Sequence, residues 1–161
     1  MTRFPPPALG HDGSVVTPIR ADELVVLPVR LHGIQLGRAV DVLLDREDGR
    51  ALGLDVHCGD GVHRFLPLPT AFVADGELAI ASPLVMLEED QLSFYRARTF
   101  SLAELRGRPV ERSGAPAGRL RDVVIGPRGA IVDVIVETDE GERRLAYDGT
   151  LRFAPGSRSA A

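Results

Sequence analysis

The chain has 161 residues, of which 44% are hydrophobic and 26% charged, and its formal net charge is −4. This balance is typical of a soluble globular protein and argues against nucleic-acid binding through overall positive charge. No run approaches the ~20 apolar residues that span a bilayer, so we expect no membrane insertion. The single cysteine, Cys58, excludes an internal disulfide, and the first residues lack the apolar stretch of a signal peptide. We therefore expect a cytoplasmic location.

The chain contains an internal repeat. Residues 33–45 and 49–56 return at 114–126 and 129–136, with one residue missing from the turn of the second copy. A period near 81 residues is longer than the ~20–50 residues of a solenoid unit, so it indicates domain duplication. Each copy is small enough to be marginal alone, and we expect the copies to pack together or on a partner. Seven of 21 aligned positions are identical: Gly33, Gly37, Arg38, Asp41, Val42, Gly49 and Val56 return as Gly114, Gly118, Arg119, Asp122, Val123, Gly129 and Val136.

The first part of the chain predicts an arm followed by a β domain. Residues 1–22 are rich in proline and glycine and predict a tail or an edge-covering arm. Residues 23–82 predict the first domain, in which Pro28 places its strand at an edge or a bulge. Residues 52–58 alternate apolar and polar side chains, which predicts a strand with one buried face. The predicted strands are 24–31, 38–45, 52–58, 62–68, 72–73 and 78–80.

A linker and a second β domain follow. Residues 83–98 predict a partly helical linker, in which Ser82-Pro83 starts a helix and Leu84, Leu87, Leu92 and Tyr95 form an apolar stripe. Residues 99–155 predict the second domain, and 156–161 predict a disordered tail. Ser101 begins a capping-box pattern that predicts a short helical turn, which Gly107 ends. The strands of this copy are predicted at 118–125, 132–136, 143–147 and 151–153.

The second copy resembles a PRC-barrel domain. The resemblance rests on the leucine-containing turn at 101–106, on Gly118-Arg-Leu-Arg-Asp-Val, and on the alternating apolar strand after a glycine turn. The first copy shows the same core as Gly37-Arg-Ala-Val-Asp-Val. Together the resemblances cover roughly residues 24–82 and 99–155. They imply an all-β fold class, namely two tandem small PRC-like β-barrels joined by the partly helical linker and packed with approximate twofold symmetry.

The family resemblance also implies a docking role. PRC-barrels occur in the H subunit of photosynthetic reaction centres and in the ribosome maturation factor RimM, where they look like docking modules and not catalysts. This chain lacks the membrane helix of the former and shows no sign of the separate N-terminal domain of the latter. Because the shared motifs are turn glycines and core aliphatics, they specify a fold better than an activity.

The recurring polar residues are predicted to be structural. Asp41 and Asp122 lie inside apolar strands, where a carboxylate commonly accepts hydrogen bonds from backbone amides or an arginine. Arg38 and Arg119 recur with them and are the candidate partners. Gly37 and Gly118 serve turns, because no helix or lysine follows either of them as a phosphate loop requires. We predict no catalytic residue, cofactor or metal ion.

An arginine-rich stretch carries the strongest local charge. All 19 basic residues of the chain are arginine, which is typical of a GC-rich genome. Residues 106–128 contain six arginines and two acidic residues, which gives a local charge of +4. Such a patch can bind phosphate. Internal pairing with residues 88–90 is the alternative, and the chain has few aromatic residues to stack on bases. The candidate partner- or anion-binding residues are Arg106, Arg108, Arg119, Arg121 and Arg128.

The histidines offer a weaker candidate site. His57 and His63 flank a predicted hairpin turn and can approach each other, whereas Cys58 is predicted to point into the core. Zinc requires three or four ligands, so we interpret the two histidines as surface residues. The sequence thus favours a non-enzymatic intracellular adaptor that binds a protein partner. The alternative is an RNA- or ribosome-associated factor that uses the arginine-rich face. The sequence is also compatible with a homo-oligomer.

Overall fold

The structure is a computed structural model that describes residues 18–46 and 49–153. The predicted tail at 156–161 and residues 1–17 of the predicted arm lie outside the described residues. The described residues form mainly β-strands, which confirms the all-β fold class. The strands are β1 (Ile19–Arg20), β2 (Pro28–Leu31), β3 (Ile34–Asp45), β4 (Ala51–Cys58), β5 (His63–Pro67), β6 (Ala71–Ala74), β7 (Glu77–Ile80), β8 (Thr99–Ser101), β9 (Pro109–Arg112), β10 (Ala115–Ile125), β11 (Ile131–Thr138), β12 (Gly141–Ala146) and β13 (Leu151–Arg152). The helices are α1 (Ala21–Leu24), α2 (Glu89–Arg96) and α3 (Leu102–Leu105).

The strands form two curled sheets, one built on each copy of the repeat. The first sheet has the order β5-β4-β3-β2-β7-β6, and the second has the order β12-β11-β10-β9-β13. Neighbouring strands are antiparallel except for β2 and β7, which run parallel. In both sheets a tight turn precedes the long strand, and its two residues have positive φ: His32-Gly33 in the first copy and Ser113-Gly114 in the second. Positive φ at both positions matches the twist of a β-hairpin and explains why the glycine recurs.

Each copy contributes its first strand to the sheet of the other. Strand β1 pairs with β10, with Ile19 opposite Ile125, and β8 pairs with β3, with Phe100 opposite Leu44. These two contacts are equivalent under the repeat, because Ile19 and Phe100 are 81 residues apart, as are Leu44 and Ile125. Helix α1 accordingly packs on β10, and α3 packs on β3. This reciprocity is what an approximate twofold relation between the copies requires.

The exchange corrects two predictions. The predicted arm at 1–22 contains β1 and the first two residues of α1, and both Ala21 and Leu24 of that helix are fully buried in the core that the two copies share. The predicted strand at 24–31 begins only at Pro28, because residues 21–24 are helical. Pro28 is the first residue of a central strand, a position where its missing N–H removes little from the ladder.

The copies meet at equivalent residues near the twofold. Arg50 and Ala130, which are equivalent, form an isolated antiparallel bridge, and Arg50 Nη2 donates to the carbonyl oxygen of Arg128 at 2.6 Å. Gly129 lies beside this bridge with φ +79°, and a Cβ at this residue would collide with the carbonyl oxygen of Ala51 in the other copy. The recurring turn glycine is therefore required both for its backbone conformation and for the approach of the two copies.

The linker differs from its predicted form. Ser82 Oγ accepts from the Leu84 amide at 3.1 Å and begins a 3₁₀ turn, but the chain is extended at Met86 and α2 starts only at Glu89. The predicted apolar stripe is thus split between a turn and a helix, and Leu84 is 86% exposed. The predicted cap at Ser101 is confirmed, because its Oγ accepts from the Glu104 amide at 3.3 Å.

Helix α2 covers the face of β4 that the sequence predicted to be exposed. Its Leu92 forms a second apolar cluster with Leu43 and Phe65, and Tyr95 stacks on Phe65 with ring centroids 4.3 Å apart. The prediction of one buried face for β4 was therefore wrong. Both faces of the strand are covered near Asp55, which is itself buried.

Candidate functional site

The recurring aspartates hold the exchanged helices. Asp41 accepts hydrogen bonds from the Ala103 amide at 3.1 Å and from the Ser101 hydroxyl. Asp122 accepts from the Asp22 amide at 3.3 Å and from Arg20 Nε at 2.9 Å. Ala103 and Asp22 are equivalent positions, each in the first turn of a short helix from the opposite copy. Both aspartates therefore join one copy to the other, which is a structural role.

The surroundings of Asp122 carry more charge than those of Asp41. Asp122 is fully buried, and Arg106 Nη2 lies 3.6 Å from its Oδ1 and 2.6 Å from Asp22 Oδ1. The hydrogen bond to Asp122 raises the pKa of Arg20 above its ordinary value. We call the contact of each exchanged helix with the sheet of the opposite copy an exchange seam. The exchange seam at α1 is held by an ion-pair network, whereas the exchange seam at α3 is held by hydrogen bonds from a hydroxyl and an amide.

The recurring arginines have a different partner from the one predicted. Arg38 Nη1 donates to the carbonyl oxygen of Val26 at 2.8 Å, and Arg119 Nη1 donates to that of Gly107 at 3.0 Å. The two acceptors are again 81 residues apart. The prediction that these arginines pair with the recurring aspartates was therefore wrong, because the chain segment after each short helix offers them a carbonyl.

The second recurring glycine of each copy lies where two strands approach closely. A Cβ on Gly37 would lie 2.6 Å from the carbonyl oxygen of His57, and one on Gly118 would lie 2.8 Å from that of Glu137. The sequence predicted that these two glycines lie in turns, but both lie within strands. Their recurrence reflects a steric requirement of the shared frame.

The arginine-rich stretch does not form one free surface. Arg106 belongs to the network at Asp122, Arg121 Nε lies 3.2 Å from Glu142 Oε2, and Arg119 donates to a backbone carbonyl. The side chains of Arg108 and Arg128 are exposed, without an ion-pair partner within residues 18–46 and 49–153. The acidic residues at 88–90 were an expected internal partner, but Glu88 instead contacts Arg64 of the first copy.

The histidines lie beside a buried carboxylate that the sequence analysis missed. His57 and His63 face each other across β4 and β5, with ring centroids 4.8 Å apart, and Cys58 is buried as predicted. His63 Nδ1 lies 2.7 Å from Asp55 Oδ1, and Arg96 of α2 pairs with the other carboxylate oxygen. Within the described residues, no group of three or more metal-ligating side chains comes together. We interpret this cluster as the anchor that fixes α2 to β4.

The first copy has a groove that the linker partly occupies. The groove lies beside Leu36, Cys58 and Arg64, and the linker enters it with Met86, which is only 8% exposed. The backbone of Leu87 pairs with the outer edge of β5: the Leu87 amide donates to the Phe65 carbonyl at 2.7 Å, and the Phe65 amide donates back at 3.0 Å. The remaining space is about 480 Å³.

The carboxylate of Glu88 completes the seating of the linker. Its Oε1 lies 3.4 Å from Arg64 Nε, on the same side of β5 as the groove. Side chains along an extended segment alternate in direction, so Met86 and Glu88 point to one side and Leu87 to the other. Leu87 accordingly packs against the apolar cluster under α2.

The second copy has the equivalent groove, and no described segment fills it. Ala117 and Thr138 occupy the positions of Leu36 and Cys58, and the space is about 900 Å³. The registers are equal: Val136 pairs with Arg143 as its equivalent Val56 pairs with Arg64. Leu145 therefore corresponds to Leu66, but Leu66 is fully buried and Leu145 only half-buried. Within the described parts of the chain, β12 has no strand on its outer edge.

The second groove is lined by more cations than anions. Arg112, Arg119 and Arg143 line it together with Glu137 and Asp139. Arg112 Nη2 donates to the Ala146 carbonyl at 3.0 Å, but its buried Nε has no hydrogen-bond partner among the described residues. No ion pair of Arg143 occurs within that part of the structure either. The groove therefore presents donors that a carboxylate can satisfy.

No protein-family model matches this chain, and no curated protein matches it. Among the described residues, no helix is both long enough and apolar enough to cross a membrane.

Proposed function

We propose that this protein is a non-enzymatic adaptor of the cytoplasm that binds a protein partner through the groove of its second copy. The observation that supports this function is the contrast between the two grooves. In the first copy a chain segment covers the outer edge of β5 and buries Met86, whereas the equivalent edge of β12 is bare within the described residues. Bare strand edges beside an apolar groove are typical sites of strand addition.

The fold supports the same proposal. Two curled sheets with a shared core are consistent with a pair of small β-barrels, and the recurring residues maintain that frame. We propose that the barrels are of the PRC type, on the resemblance of the core strands around Gly37 and Gly118. A duplicated docking fold provides two equivalent grooves, of which one is used within the chain.

RNA or ribosome binding is the second proposed function. It rests on Arg108 and Arg128, which are exposed, and on the three arginines of the groove. Arg121 pairs with Glu142 instead of facing solvent alone, which reduces the charge available for phosphate. A salt-dependent RNA shift that is lost on charge reversal of Arg119 and Arg121 would favour this function.

A matched pair of blocking variants tests the adaptor function. Ala115 lines the open groove, and Ile34 is its equivalent at the exposed start of β3, so Ala115→Trp and Ile34→Trp place the same bulk in each copy. We expect the wild type and Ile34→Trp to capture the same host protein, and Ala115→Trp to lose it, in quantitative affinity capture after nuclease treatment. Equal capture by all three chains would contradict the proposal.

A further inference from the structure

The linker shows what chemistry the groove accepts. Three of its residues seat it: Met86 enters the groove, Leu87 pairs with the edge of β5, and Glu88 contacts Arg64. An apolar side chain and a carboxylate thus stand two positions apart on one side of an extended segment. The residue between them provides the backbone pairing.

Each receiving element recurs in the second copy. Arg143 corresponds to Arg64, and Leu145 corresponds to Leu66, since equal cross-strand registers relate them. Arg144 corresponds to Phe65, so its backbone N–H and C=O point away from β11 by the alternation of an antiparallel ladder. The second groove therefore has an edge for pairing, an apolar floor and a cation in the same order as the first.

We propose that the second groove binds an extended segment of a partner protein that carries an apolar residue and, two positions later, a carboxylate. The apolar side chain enters the space over Ala117 and Leu145, and the carboxylate contacts Arg143. This inference rests on the proposed adaptor function, because it names the chemistry of the partner at that site.

The residue between the apolar residue and the carboxylate meets different surroundings in the two copies. In the first copy Leu87 lies against the cluster that contains Phe65 and Leu92. In the second copy the corresponding strand residue is Arg144, whose Nε lies 2.7 Å from Asp133 Oδ2. The outer face is therefore polar, and we infer that the partner carries a polar residue between the apolar residue and the carboxylate.

A peptide with the sequence of residues 82–90 is a direct probe, because it contains the segment that the first groove already holds. Fluorescence anisotropy of the labelled peptide on the full chain is expected to show one site per chain. Arg143→Glu is expected to weaken binding about tenfold, because reversal removes the attraction and adds repulsion. Arg144→Glu changes the charge equally on the opposite face of β12, and we expect less than about a twofold effect.

Peptide variants test the two side chains separately. Peptides carrying Met86→Asp or Glu88→Lys are expected to lose most of the affinity, whereas one carrying Leu87→Ser is expected to bind at least as well as the parent. If Arg143→Glu and Arg144→Glu weaken peptide binding equally, the loss reflects the net charge of the chain and not a contact in the groove, and the proposal is overturned. Dimerisation of the chain through the groove, or displacement of the peptide by an RNA oligonucleotide alone, would also overturn it.

The two proposals fail in different ways. If the peptide does not bind but Ala115→Trp still abolishes capture of the host protein, the segment chemistry is wrong and the adaptor function stands. If the peptide binds as expected but no host protein depends on the groove, the segment chemistry stands and the adaptor function is wrong.

Discussion

The two copies of the repeat share one frame and differ in what covers one edge of it. Residues that recur, such as Asp41 and Asp122, join each copy to the exchanged helix of the other. The residues that differ lie around the groove, where the linker seats Met86 in the first copy and no described segment takes its place in the second. The recurring residues therefore maintain the shared frame, and the departures from the repeat lie at the surface that we propose binds the partner.

The exchange of first strands makes the two copies dependent on one another. Because β1 and α1 complete the second sheet while β8 and α3 complete the first, neither copy has its full set of contacts when alone. One core runs through both copies. We therefore expect both copies to unfold in a single transition. The variants below test whether equivalent contacts in the two copies contribute equally to the free energy of unfolding.

The largest expected effect comes from the exchange seam. Asp122→Ala removes a fully buried carboxylate, so Arg20 and the Asp22 amide lose an acceptor and Arg106 keeps only its contact with Asp22; we expect a cost of roughly 4 kcal/mol. Asp41→Ala removes the equivalent cap without an arginine partner and is expected to cost about 1.5 kcal/mol. Urea unfolding measures both, and equal costs would contradict the asymmetry of the two seams.

The contact near the twofold is the next most sensitive. Gly129→Ala places a Cβ against the Ala51 carbonyl at a residue with φ +79°, and we expect a loss of roughly 3 kcal/mol. Gly114→Ala is the matched control, because its φ is +86° and a Cβ there meets no atom within 4 Å. We expect about 1 kcal/mol from backbone strain alone. Equal losses of stability for the two variants in thermal unfolding would show that the close approach of the two copies at Gly129 does not contribute to the cost of the substitution.

The seated linker residue should matter less than either contact. Met86→Ala removes a buried side chain at the rim of the core, and a loss of about 2 kcal/mol is expected in urea unfolding. The same variant weakens the occupant of the first groove, so the stoichiometry of the 82–90 peptide should rise from one toward two per chain. Leu84→Ala, at an exposed residue of the same segment, is the control and should change neither quantity. An unchanged stoichiometry together with unchanged stability would show that the linker does not occupy the groove.

The smallest effect is electrostatic and confined to the first copy. The hydrogen bond from Arg64, aided by the Val62 amide, lowers the pKa of Asp60 below its ordinary value. A lowered pKa in the folded state means that this interaction stabilises the fold above the ordinary carboxyl range and is lost as the pH falls through the lowered value. Arg64→Ala should return the pKa of Asp60 toward its ordinary value in an NMR titration. Arg143→Ala, at the equivalent residue, should leave it unchanged, and any other pattern would contradict the assignment.

The sequence predicted the frame well because the frame is what recurs. The glycine turns and the cap at Ser101 both follow from local residue preferences, whereas β11 departs from the predicted alternation because Ile135 is buried beside Val134 and Val136. The exchange of strands could not be predicted, because an offset of 81 relates two segments without saying in which sheet each one pairs. Two-residue β1 lies in a proline- and glycine-rich segment whose composition conceals it.

The site was harder to predict for a related reason. Asp55 alternates with apolar residues and so is predicted to face solvent, but α2 covers that face and buries it against His63 and Arg96. Its equivalent, Ile135, is an aliphatic residue, and this contrast was the available signal. The groove depends on where the linker turns back to β5, which neither periodicity nor charge reveals.

Amide hydrogen exchange at two equivalent residues measures directly whether the edge of β12 is open while that of β5 is covered. We expect slow exchange of the Phe65 amide, which donates to the Leu87 carbonyl, and fast exchange of the Arg144 amide on the open edge of β12. Addition of the 82–90 peptide should slow the Arg144 amide and leave Phe65 unchanged. An Arg144 amide that is already as protected as Phe65 in the free chain, or that saturating peptide leaves unprotected, would contradict the account.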